Sequence, residues 1–141
     1  MKVLVDANVI LDVLLNRSPW VDDSRRIWDA NQATRIQGYL AATAVCNFYY
    51  IWRKHAGSAL ALRSVRECLE AYQILPVDLP TLKAAVSFAE GDFEDQIVIR
   101  CAVAARIDVI VTRDPRGFSR SPILVLSPAE FCRRYPTLVD G

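Results

Sequence analysis

What most constrains this chain is an alternation. Short runs of β-branched and aliphatic residues recur between longer segments whose apolar residues return at helical spacing. The runs at 2–5, 36–40, 74–75, 109–111 and 123–126 read as strands. Residues 7–15 place Val9, Ile10, Val13 and Leu14 on one helical face, and residues 22–33 follow with an acidic first turn, Asp22-Asp23, that suits a helix N-terminus. Thr43 is positioned to cap a helix that carries Val45, Phe48, Tyr49 and Trp52 on one face and ends near Gly57. The segment 58–72 is expected to bury a stripe of Leu62, Val65, Leu69 and Tyr72. Further helices are expected over 79–89, 94–106 and 128–135, with a turn at Gly91-Asp92-Phe93.

Strands alternating with helices through short connections require parallel pairing and crossover helices on both faces of a sheet. The expected fold is therefore α/β, a three-layer α/β/α sandwich around a central, mainly parallel sheet. No repeat or Gly/Ser-rich linker divides the chain, so residues 1–141 read as one domain. With 52% hydrophobic and 23% charged residues, disorder is excluded. Every apolar stretch is broken by a polar group well short of the ~20 residues of a membrane span, and Asp6 interrupts the place where a secretory signal would need its apolar run. A cytoplasmic location without membrane attachment is expected. Cys46, Cys68, Cys101 and Cys132 lie far apart among apolar neighbours and read as reduced core residues.

In open parallel sheets the functional crevice lies beyond the carboxyl ends of the strands. Three acids fall at such places: Asp6 after the first strand, Asp95 at a helix start, and Asp114 just after the fourth strand. Clustered carboxylates repel one another, and a hard cation such as Mg²⁺ or Mn²⁺ offsets that repulsion through oxygen ligands. Such a site supports metal-assisted hydrolysis of a phosphodiester. Each acid also has a local explanation. Asp6 can cap the first helix, Asp92 and Asp95 have capping-box spacing, and Asp114-Pro115 is a turn pair. His55 is solitary near a helix end and is given no catalytic role.

The net charge of +1 carries no nucleic-acid signature, but Arg113, Arg116 and Arg120 bracket Asp114 and could bind phosphates at the same sheet end. Trp20, Tyr49, Tyr50 and Trp52 offer aromatic faces for bases; helical spacing assigns Tyr49 and Trp52 to the core instead.

Several segments together resemble the PIN-domain family: Val3-Leu-Val-Asp6-Ala-Asn8-Val-Ile-Leu-Asp12, Thr43-Ala-Val-Cys-Asn47-Phe, Asp92-Phe-Glu94-Asp95, Thr112-Arg113-Asp114 with Phe118, and Leu126-Ser-Pro-Ala-Glu130-Phe131. The resemblance implies a metal-dependent endoribonuclease of the kind found among VapC-type toxins, with RNA as substrate, a cognate antitoxin protein as partner, and a homodimeric state. It implies Asp6, Asp95 and Asp114 as metal-binding and catalytic positions. Asn47 stands where the family usually has an acid, and Gly117 where a further acid is often found. Asn8, Thr112 and Asp92 are supporting positions, Glu94 can add charge nearby, and Arg113 and Arg116 are candidates for substrate binding. The two departures leave room for an alternative, a catalytically weakened module that binds RNA or an antitoxin.

Overall fold

In the computed structural model, which describes residues 1–88 and 91–141, five short strands form one sheet. In chain order the strands are β1 (Lys2–Val5), β2 (Gln37–Ala41), β3 (Gln73–Leu75), β4 (Val109–Val111) and β5 (Leu124–Leu126). They lie side by side as β3-β2-β1-β4-β5, and every pairing is parallel. The expected three-layer α/β fold is present, with a wholly rather than mainly parallel sheet. Strand β1 sits in the middle because its Val3, Leu4 and Val5 are apolar on both faces, as a strand covered by helices on two sides must be.

The helices are α1 (Ala7–Leu14), α2 (Val21–Gln32), α3 (Ala42–Ala56), α4 (Ser58–Ala71), α5 (Leu79–Ser87), α6 (Phe93–Ala104), α7 (Pro128–Arg134) and α8 (Pro136–Val139). Val3, Val5, Leu40, Val109 and Val111 pack one way, against Ile10, Ile27, Phe48 and Phe131 of the helices on that face. Leu4, Tyr39, Ala41 and Ile110 pack the other way, against Ala85 of α5 and Ile97 and Ile99 of α6. The period-2 alternation of the strands thus divides the core into two layers.

Several local expectations are corrected. Thr43 lies inside α3, whose N-cap is Ala41 with no side-chain cap, because β2 runs straight into the helix. In α4 the buried face is Ala61, Ser64 and Cys68; of the expected stripe Tyr72 is buried and Val65 packs against the core, whereas Leu62 and Leu69 are exposed at 44% and 51%. Small residues let α4 approach α3 closely, and Trp52 Nε1 donates to Ser64 Oγ at 3.0 Å across that contact. Cys46 is exposed; Cys68, Cys101 and Cys132 are buried, and all four are free thiols. Tyr49 and Trp52 are partly buried. The expected helix end at Ala89 lies outside the described residues. A 3-10 turn, Pro115–Phe118, follows β4 where only a loop is expected. No helix among the described residues is long and apolar enough to cross a membrane.

Candidate active site

The strand order reverses direction between β1 and β4, so the chain leaves the sheet on diverging paths and opens a crevice at their carboxyl ends. Asp6 and the Thr112–Asp114 segment stand at that point. The ladder continues into it: Asp6 N–H donates to Val111 O at 2.9 Å, and Thr112 N–H to Leu126 O at 3.0 Å.

Asp6 is the N-cap of α1, and its Oδ1 accepts from Ala7 N–H at 2.8 Å. Its Oδ2 accepts from Thr112 Oγ1 at 2.8 Å. Thr112 is fully buried, and its hydroxyl also accepts from Asp114 N–H at 3.2 Å and from Asn8 Nδ2 at 3.4 Å. A hydroxyl has one proton and two lone pairs, so this one is fully used. Asn8 Oδ1 in turn accepts from Arg113 N–H at 3.2 Å. Asn8 and Thr112 therefore hold the start of α1 and the end of β4 in one register and fix the orientation of the Asp6 carboxylate.

Asp95 arrives from the opposite face of the sheet on the first turn of α6. Asp92 caps that helix, its Oδ1 accepting from Asp95 N–H at 3.1 Å. Asp6, Asn8, Asn47, Tyr50, Glu94 and Asp95 line a common cleft of about 420 Å³, to which Thr43 also contributes. Asp114 is exposed beside it. Burial pushes the Asp95 carboxyl up to about 6, and the charges of Asp92, Asp6, Asp114 and Glu94 push in the same direction. Asp6 is raised by burial against the hydrogen bonds from Thr112 and Ala7, with Asp114 and Glu94 adding to the rise. The acids expected to meet are thus within electrostatic reach of one another. None of the ion pairs among the described residues engages Asp6, Asp95 or Asp114.

The departures at 47 and 117 have structural correlates. Asn47 is exposed on α3 and lines the cleft, so a carboxamide faces the acids across it. Gly117 lies in the 3-10 turn against the Asp95 carboxyl, and a Cβ there would overlap that carboxylate. The Asp95 side chain occupies the space that any side chain at 117 would need.

Arg113 has a different setting from that of a free phosphate-binding rim. Its guanidinium lies over the Trp20 ring, 4.0 Å from the centroid, and 3.4 Å from Asp12 Oδ1. Arg17 approaches the same oxygen at 3.8 Å. Arg113 is thereby tied to α1 and to the start of α2, while Arg116 is exposed. His55 is exposed, with Nδ1 3.0 Å from Ile51 O, apart from the cleft. Sequence reasoning left Asp12 without a role, because nothing in its spacing distinguishes it from a helix-surface acid, and named Tyr50 only as one of four aromatic faces for bases, without placing it at the cleft.

Residues 2–116 match the PIN domain family. The chain belongs to that family. A ribonuclease VapC1 of Aquifex aeolicus is 27% identical, the alignment covering 97% of each protein. Among solved structures, the VapC20 toxin of Mycobacterium tuberculosis, described as cleaving the sarcin–ricin loop, superposes with a TM-score of 0.72 at 12% identity over 87% of this chain and 97% of that one. A toxin–antitoxin complex from Klebsiella pneumoniae contains a chain that matches with a TM-score of 0.69 at 18% identity, covering 90% and 98%. These structural likenesses establish the PIN fold. The cleft described above occupies the carboxyl edge of its sheet.

Among the described residues, no three His, Cys, Asp or Glu side chains are placed together so as to hold a metal ion directly. Magnesium does not require that, since it keeps several waters and is commonly bound through one or two carboxylates together with substrate phosphate. An all-oxygen donor set, with mutual repulsion among its carboxylates and no built-in cation, fits a hard divalent ion.

Proposed function

We propose that this chain is a divalent-metal-dependent endoribonuclease acting as the toxin of a toxin–antitoxin pair. The observation that carries the reading is that Asp6 and Asp95 line one cleft at the switch point with Asp114 exposed beside it, where neighbouring acids raise the proton affinity of Asp6 and of Asp95 and no ion pair among the described residues offsets them. Evolutionary likeness to a ribonuclease supports the same reaction class.

In this reading Asp6 and Asp95 hold Mg²⁺ or Mn²⁺, with Asp114 completing the negative field from the β4 side. When bound, the cation supplies a nucleophile from water and offsets charge at the phosphodiester. Thr112 and Asn8 keep the Asp6 carboxylate aimed at the cleft, and Asp92 fixes the first turn of α6 and hence Asp95. Asn47 orients water or a phosphate oxygen through its carboxamide. Arg116 contacts the RNA backbone, whereas Arg113 acts through the loop it braces. Attack on the phosphorus expels the 3′-oxygen of the preceding ribose, which takes a proton from water and leaves a 5′-phosphate on the downstream product.

The solved toxin–antitoxin relative supports an antitoxin as protein partner. Exposed Leu62 and Leu69 on α4, Leu79 and Val86 on α5, and Phe93 at the start of α6 supply apolar surface for that contact and for a homodimer.

Asn47 and Gly117 favour a second reading, a PIN fold that binds RNA or antitoxin with little turnover, because both replace a charge with none. Incubating a structured RNA pool with the purified chain in Mg²⁺, in Mn²⁺ and in EDTA separates the two. Metal-dependent cleavage that disappears in Asp95→Asn is expected; intact RNA in every condition, from folded protein, would favour the second reading.

A further inference from the structure

The cleft described above is acidic, and RNA is a polyanion, so something beside the acids must hold the strand against them. Arg113 does not serve this purpose directly, because its guanidinium is engaged by Asp12 and Trp20. The helix that walls the cleft on the α3 side offers another arrangement. Asn47, Tyr50 and Lys54 succeed one another at intervals of three and four residues, so they lie along one face of α3. Tyr50 is 55% exposed and lines the cleft together with Asp6 and Asp95. Lys54 Nζ sits 4.3 Å from the centre of the Tyr50 ring.

A singly exposed tyrosine is ordinary on a protein surface. This one differs by its position, since the ring lines the same cleft as the acids and the Lys54 ammonium is packed over it. Aromatic rings beside a positive group are what single-stranded nucleic acid requires: the ring stacks a base and the cation meets the adjoining phosphate. Bases inside an A-form duplex have no free face, so the arrangement suits an unpaired, splayed nucleotide in a loop or single strand.

Resting on the nuclease reading, we infer that Tyr50 and Lys54 form a nucleotide-binding step at the mouth of the cleft, on which one unpaired base stacks and its phosphate is held while the neighbouring phosphodiester lies over the acids. Tyr50 then sets where along a loop the chain cuts.

The test uses fluorescence anisotropy with labelled oligouridylate and oligoadenylate, in Ca²⁺ to slow turnover, alongside cleavage assays in Mg²⁺ and Mn²⁺. Tyr50→Ala is expected to weaken binding roughly five- to hundredfold, and Tyr50→Phe to stay within about twofold of the parent, since stacking needs the ring and not the hydroxyl. Lys54→Gln is expected to lower the salt slope of binding by about 0.7, the share of one phosphate contact on a single strand. Thermal melts of both variants that match the parent would show that the change is local.

RNA affinity unchanged in Tyr50→Ala overturns the inference, and so does a parent chain that binds neither oligonucleotide. Unchanged RNA affinity together with lost inhibition by a co-expressed antitoxin would reassign this face to protein, again overturning it. If Tyr50→Ala loses binding while the parent cleaves nothing in any metal, the nucleotide step stands and the nuclease reading falls. Cleavage and binding by Tyr50→Ala at parental levels would leave the nuclease reading and remove the step.

Discussion

Two carboxylates stand at either end of α1, Asp12 buried and Asp6 half-buried, and they could hardly be treated more differently. Asp6, at the N-cap, accepts hydrogen bonds from uncharged donors, Ala7 N–H and Thr112 Oγ1, and its charged neighbours are other acids. Asp12, within the helix, has both oxygens buried without a hydrogen bond but faces the guanidinium groups of Arg113 and Arg17. Burial raises the proton affinity of both. The difference lies in the counter-charge: Asp12 has two built in, whereas Asp6 opens on a cleft where like charges accumulate. Burial alone therefore does not mark a functional carboxylate. What marks Asp6 is charge that the chain concentrates and leaves for something else to offset, while Asp12 secures the loop that brings Asp114 to the same place.

The comparison is tested most strongly by the matched substitutions Asp6→Asn and Asp12→Asn. Asp6→Asn should lower cleavage by at least about a hundredfold, the scale of losing one electrostatic contributor in an active site. It should also leave or raise the melting temperature of the metal-free protein, because an asparagine still caps α1 and a crowded charge is gone. Asp12→Asn should instead destabilise by about 1–3 kcal/mol in urea unfolding. That is below the usual cost of breaking a buried pair, because the Arg17 and Arg113 side chains are 32% and 25% exposed and can turn to water. Equal loss of stability in both variants would erase the distinction.

A second, smaller effect concerns pH. The Asp95 carboxyl is raised from 3.8 to about 6 in the folded chain, so between those values the native state holds more protons than the unfolded one. Stability from this group is full below the lower value and is lost as pH rises through the upper one. The metal-free protein should therefore lose melting temperature from pH 4 to about 6 on account of Asp95, and Asp95→Asn should flatten that part of the curve. Divalent cation should restore stability at neutral pH in the parent and not in the variant. A parent profile that rises across the same window and is unchanged in Asp95→Asn would show that the acids do not strain the fold.

The smallest expected change is Arg113→Lys. A lysine retains a charge near Asp12 but cannot lay a planar guanidinium on Trp20, so a loss of about 0.5–1 kcal/mol is expected, with a shift in Trp20 fluorescence. No change in either would reduce the brace to the ion pair alone.

Much of this was legible along the chain. Short β-branched runs alternating with helical periods are consistent only with parallel strands and crossover helices, so the layered sheet and the placing of Asp6 and Asp114 after strands follow directly. The strand 109–111 is found as expected, since all three of its residues are apolar and fully covered. Where expectation failed, a neighbour decided. Of the stripe Leu62, Val65, Leu69 and Tyr72, Leu62 and Leu69 are exposed despite good helical spacing, while Ala61, Ser64 and Cys68 are buried and Ser64 meets Trp52 of α3, because close approach of two helices favours small side chains. Thr43 looks like a cap, but β2 passes directly into α3 and needs none. Gly117 reads as a missing acid, and only the packing of the Asp95 carboxyl against it shows that the space is taken.

By itself, then, the sequence determined the fold class, the order of its elements and the placing of Asp6 and Asp114 after strands, because periodicity and strand-end position are local properties of a chain. The tertiary structure decided the rest: which buried carboxylate is neutralised from within, which arginine is tied to Asp12 and Trp20, and which tyrosine borders the cleft. Those depend on side chains far apart in sequence meeting at a few ångströms, and no local pattern encodes a distance.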